Sequence, residues 1–147
     1  MAGKTTTFSN FVTSLILGNV NTGGSSGYTT IAAAGSATTI YLSLHTADPG
    51  VSGTQATSEI SYTGYARVAL TRSSAWTLGS GNTATLAAAQ SFGSMTAGTG
   101  GTVTYFGIGL SSSGTGTLLY SGAVSPNISV TTGVNPQLTT STSVQEA

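Results

Sequence analysis

Residues 38–50 read TTIYLSLHTADPG, and their pattern decides the fold class. Ile40, Leu42 and Leu44 alternate with Tyr41, Ser43 and His45. Successive side chains of a strand point to opposite faces, so the segment carries one apolar face and one mixed face. β-branched and aromatic residues suit such a pleated, half-buried surface. Asp48-Pro49-Gly50 then ends it, because proline presets φ and glycine tolerates the positive φ of a tight turn. The stretch reads as a central strand of an all-β sandwich.

The rest of the chain repeats that pattern. Residues 59–62, 65–70, 75–78, 83–86, 90–92, 102–110, 117–124, 128–131 and 137–143 are strand candidates, separated by turns rich in Gly, Ser and Asn. Residues 87–89 read equally as a helical turn. In 102–110, TVTYFGIGL, the two glycines point to a bulge or a close backbone approach. That segment and residues 117–124, joined by SSSGTG, form the clearest hairpin, and Pro126 and Pro136 bound a last strand pair. Near the start, Phe8, Phe11, Val12, Leu15 and Ile16 fall at helical spacing. A short amphipathic helix over 8–17 follows, with Ser9 as its cap and Gly18 as its stop. It docks across a sheet or on a neighbouring subunit. The expected architecture is one domain over 1–147. It is an antiparallel, jelly-roll-like β-sandwich with a short N-terminal helix, a flexible arm at 1–7 and a tail at 144–147.

Charge is the most unusual part of the composition. Only Lys4, Arg67, Arg72, Asp48, Glu59 and Glu146 are charged, 4% of the chain against roughly 25% in ordinary domains. The net charge is zero, which offers no field to attract nucleic acid or an anionic membrane. Hydrophobic residues make up 38% of the 147, enough for a sizeable core. With no cysteine, neither disulfides nor thiolate metal sites form. No segment approaches the ~20 apolar residues of a membrane helix, and polar residues interrupt the short run 11–17, so no signal peptide is expected. A neutral surface also lacks like-charge repulsion between copies. It serves either as a solvated Ser/Thr-rich exterior or as a surface built for assembly.

The residues suited to catalysis are few. Gly23-Gly24-Ser25-Ser26-Gly27 has the spacing of a nucleophile elbow but lies in a Gly/Ser loop without the strand and helix an elbow needs. Gly3-Lys4-Thr5 lacks the earlier glycine of a phosphate loop. His45 has Asp48 three positions on, yet Asp48 sits in a turn and His45 ends a strand, so no catalytic residue is assigned. Three scattered acids fall short of a calcium cage unless backbone carbonyls complete it, zinc needs more His or Cys than one histidine, and no metal or cofactor is expected. Glu59 and Arg67 lie across a predicted bend and are placed to pair. Buried in an interface, such a pair sets specificity. With Tyr62 and Tyr65 beside them, and Phe8 and Phe11 on the helix, they are the candidate interface residues.

Two runs, YLSLHTADPG at 41–50 and EISYTGYARV at 59–68, together with VTYFGIG at 103–109 and LLYSGA at 118–123, resemble a family of small tailed-bacteriophage virion proteins. The similarity runs from the helix to about Pro136. Members are often labelled tail-fibre proteins, and some resemble head decoration, or cement, proteins with a jelly-roll body. The resemblance implies a structural, non-enzymatic protein on the outer capsid surface of the virion. Its partners would be the major capsid protein and further copies of itself, as dimer or trimer, with no nucleic acid or membrane. The alternative is a receptor-binding tail-fibre or tail-tip domain. Residues 51–58, 111–116 and the termini are the expected contact segments.

Overall fold

A computed structural model describes residues 6–18, 39–79 and 82–146, with the side chains of Thr6, Thr7, Phe8 and Phe11 outside that description. Among the described residues the fold is all-β with one short helix, as the alternating pattern predicts, and every strand pair of described register is antiparallel. The chain divides into two compact units, one of residues 1–39, 71–88 and 139–147, the other of 40–70 and 89–138.

In the first unit, helix α1 (Thr6–Ile16) accompanies strands β3 (Trp76–Leu78), β4 (Thr83–Leu86) and β9 (Ser143–Gln145), ordered β3-β4-β9. Leu17, Trp76, Ala84, Leu86 and Val144 are its buried apolar residues. The helix begins two residues before the expected Phe8, so Ser9 lies inside it rather than capping it. Ser9 is buried, and its carbonyl accepts the Thr13 hydroxyl at 3.1 Å. That i−4 bond satisfies a polar side chain within the helix. At the other end Arg72 donates from Nε to the Ile16 carbonyl at 2.5 Å and from Nη2 to the Leu15 carbonyl. A cation on the last carbonyls satisfies groups the helix itself leaves open. Two residues of the expected tail at 144–147, Val144 and Gln145, belong to β9, where Val144 pairs with Ala84 and Gln145 with Thr83. Pairing covers the free edge of β4 and buries the one large apolar side chain of that segment.

The second unit is built on β1 (Thr39–His45), β2 (Val68–Thr71), β6 (Gly101–Gly109) and β7 (Leu118–Val130), ordered β2-β1-β6-β7. A short pair, β5 (Gln90–Ser91) with β8 (Gln137–Leu138), accompanies it. The segment TIYLSLH is therefore central, flanked by β2 and β6. Leu42 opposes Ile108 and Leu44 opposes Phe106 on one face, and all four are buried. Ser43 and His45 on the other face are buried as well. Pro126 does not separate two strands as expected. It lies within β7, which among the described residues is an edge strand, where a missing N–H costs no ladder bond. The register against β6 jumps there, from Val103↔Ile128 to Tyr105↔Ala123.

The glycines of β6 are explained by close approach. A Cβ on Gly107 would stand 2.5 Å from His45 Nε2, and one on Gly109 would stand 2.1 Å from Gln55 Cδ. Both residues lie on the mixed face, where polar side chains press against the strand. Replacing Gly109 with alanine is expected to destabilise the chain by about 2–3 kcal/mol through overpacking. Urea unfolding of Gly109→Ala checks this, and unchanged stability would mean that Gln55 does not occupy that space.

Candidate functional site

Beyond β2, the flank of β1 is completed by the segment around Glu59. Thr46 N donates to the Ser58 carbonyl at 2.8 Å and Ile60 N to the Leu44 carbonyl at 2.9 Å, giving an antiparallel bridge between His45 and Glu59. This fixes the Glu59 backbone beside the central strand. Residues 63–67 then turn back and bring Tyr65 and Arg67 to the same carboxylate.

Arg67 meets Glu59 in a two-pronged pair, Nε to Oε1 and Nη2 to Oε2, both at 2.7 Å. Tyr65 OH donates to Glu59 Oε1 at 2.8 Å and accepts Leu44 N at 3.0 Å. The guanidinium spends further donors on two backbone carbonyls, Ser111 O at 3.0 Å and Gly114 O at 2.7 Å. The Arg67 side chain is 2% exposed and that of Glu59 17%. The fork of a guanidinium matches a carboxylate in this geometry better than any ammonium does. The Glu59 hydrogen bonds hold Arg67 above its usual pKa, and burial pushes the Tyr65 phenol far up. Beside them the Tyr62 and Tyr65 rings meet at 5.4 Å, and Tyr65 stacks on Phe92 at 6.2 Å. Tyr62 OH donates to the Gly93 carbonyl at 3.0 Å, and its phenol is also raised by burial.

Four of the six candidate residues, Glu59, Tyr62, Tyr65 and Arg67, thus form one cluster. The pairing of Glu59 with Arg67 holds. However, Arg67 and Tyr62 are buried within the unit rather than projecting from it, because Arg67 precedes β2 and turns under the loop at 111–116. Phe8 and Phe11 are in α1, and their side chains lie outside the described residues.

Gln55 is the residue that sequence reasoning missed. It is completely buried. Its Oε1 accepts Ser111 N at 2.9 Å, and its own backbone N donates to the Gly116 carbonyl at 3.0 Å. A polar loop gives no periodic signal for such a residue. Gly109 did record that something approaches, without saying what.

His45 is likewise enclosed. Its Nδ1 donates to the Thr57 carbonyl at 2.8 Å, which leaves Nε2 to accept from Ser43 Oγ at 2.8 Å. Asp48 is not its partner: Asp48 Oδ1 accepts Gly50 N at 2.9 Å in its own turn. Burial lowers the His45 pKa below the ordinary 6.5. A second proton would reverse the Ser43 bond, with Nε2 donating and the hydroxyl accepting.

A family model described as Podophage GP4 fiber I protein gp80 matches residues 8–144. No curated protein matches the chain. The sign of the His45 effect follows from linkage. Above pH 6.5 the imidazole is neutral in both states, whereas below it the unfolded chain binds a proton that the native chain resists. Stability is therefore expected to fall as pH drops below about 6.5 towards the lower folded pKa. The chain has a single histidine, so the slope between pH 7 and 5 should flatten in His45→Gln; urea titrations across that window test it, and an equal slope in both chains would contradict it. The family match takes in all but the first two residues of α1 and most of both compact units, including the whole Glu59–Arg67 cluster, and on it the chain belongs to the Podophage GP4 fiber I protein gp80 family, a family of phage virion structural proteins.

Proposed function

We propose that the chain is a non-enzymatic decoration, or cement, protein on the outer surface of the phage head. Copies bridge neighbouring major capsid protein subunits and one another, as dimers or trimers, and resist outward pressure on the shell. The observation that carries this reading is the distribution of charge. Arg67 and Glu59 neutralise each other inside the fold, and Arg72 is directed at helix carbonyls. Among the described residues the exposed surface is dominated by Ser, Thr and Gly, with Asp48 as an exposed charge, so copies crowd together with little repulsion. Strand β7, an edge strand among the described residues, adds thirteen residues of backbone on one side of its sheet, a form that pairs readily with neighbouring chains. Nucleic acid and membrane have no part in this reading.

A second reading has its own support. The family description names a fiber protein, which favours a tail-fibre or tail-tip component that binds the host. A map of the whole virion separates the two. Copies on the order of hundreds, spread over the head lattice, are expected for a symmetric decoration protein. A handful at the tail would overturn that placement in favour of the fibre.

A further inference from the structure

We propose that the free edge of β7 pairs with the same edge of a second copy of this chain, antiparallel about a two-fold axis at Gly122. The pairing gives the self-association proposed above its surface and rests on that reading. It is the same whether the chain sits on the head or the tail.

The register fixes which backbone groups of β7 face outward. The Leu44 carbonyl accepts Ile60 N, which lies on the side of β1 away from β6. Backbone groups alternate in direction along a strand. Ser43 and His45 therefore face β6, and their partners Gly107 and Tyr105 face back to β1. Phe106 and Ile108 then face β7, and Gly122 and Tyr120 opposite them bond inward. That leaves the N–H and C=O of Ser121 and Ala123 directed away from the sheet. Among the described residues no backbone hydrogen bond reaches them.

The open stretch is bounded at both ends. At one end the register slips at Leu119. Just before it, Gln55 N takes the Gly116 carbonyl and Thr54 bridges Thr117, so that part of the edge is covered. At the other end the register slips again after Ala123, and Pro126 has no N–H to give. Between Leu119 and Pro126 there is no charged residue, although charge is a usual means of blunting an exposed edge.

A second copy fits this stretch in one register. Centred on Gly122, Ser121 of each copy faces Ala123 of the other, and each such pair exchanges two backbone bonds. All the outward groups of Ser121 and Ala123 are then used. Gly122 meets its own copy at the narrow position between bonded pairs, where side chains crowd most. Tyr120 faces Val124, and Pro126 of each copy falls opposite Leu118 of the other, beyond the bonded residues. Neither copy asks a bond of a group that cannot make it. Centred on Ser121 instead, Ala123 would need its partner at the slipped Leu119. With no charge in the stretch, no like charges meet across the axis. A cavity of about 420 Å³ adjoins, walled by Asp48, Gly50, Val51 and Gly53 and by residues 118–121. In this register Val124 and Pro126 of the second copy run beside it. They bring apolar surface to Val51, which is fully exposed in the single chain.

Sedimentation and hydrogen exchange of the purified chain test this. A monomer–dimer equilibrium is expected. As concentration rises, the amides of Ser121 and Ala123 are expected to slow at least about tenfold, while those of Tyr120 and Gly122 are protected throughout. The chain has no cysteine of its own. A mixture of Ser121→Cys and Ala123→Cys chains is therefore expected to form a disulfide dimer more readily than either variant alone, since a bonded pair sets Cα atoms about 5.5 Å apart. Ala123→Lys, at an exposed position, is expected to unfold in urea like the parent at dilution and to weaken the dimer at least about tenfold. A chain that stays monomeric even at millimolar concentration, or that forms trimers or open filaments, would overturn the proposal. So would protection of Ser121 and Ala123 already in the monomer, where the chain covers its own edge, or only in virions, where another protein takes it. A dimer that leaves those two amides unprotected would overturn the pairing and leave self-association standing. Head or tail placement is read from the virion map, so either can fail without the other.

Discussion

The ion pair between Glu59 and Arg67 is the interaction on which the second unit depends. It ties three segments that are remote in sequence: the continuation of the sheet beside β1, the return at 63–67, and the loop at 111–116. Tyr65 joins the first two again by bonding both the Glu59 carboxylate and the Leu44 amide. Hydrogen bonds to charged groups contribute a net of about 1.5–3 kcal/mol each. The geometry matters more than the sum, because a guanidinium directs its donors in a fixed plane. Lysine at the same place would supply the charge without the direction.

That use of charge explains the composition. A chain with three cations and three anions has few to spare, and this one keeps two inside. The mixed face of β1 and β6 shows the same economy with neutral groups. Ser43, His45 and Gln55 fill it with hydrogen-bonded side chains, and glycines at 107 and 109 give them room. Among the described residues the exposed surface is rich in Ser, Thr and Gly.

The strands were legible because a period of two survives wherever one face is apolar. Ile40, Leu42 and Leu44 marked β1, and Phe106, Ile108 and Leu110 marked one face of the β6 segment. The Glu59–Arg67 pairing was legible from spacing across a bend. Its burial was not, since nothing local to YARVAL reveals that residues 111–114 close over it. Pro126 misled because proline ends a central strand but is tolerated on an edge, and edge position depends on the order of strands in space. Val144 misled because a lone valine near the end of a chain carries no periodicity. In each of these cases the deciding contact is distant in sequence.

A double-mutant cycle on Glu59→Gln and Arg67→Met, followed by urea unfolding, tests the central claim most directly. If the pair organises the unit, the two substitutions are coupled by about 2–3 kcal/mol, the double variant losing far less than the sum of the singles. Coupling within about 0.5 kcal/mol of zero would mean that the two side chains act independently, and the account would fail.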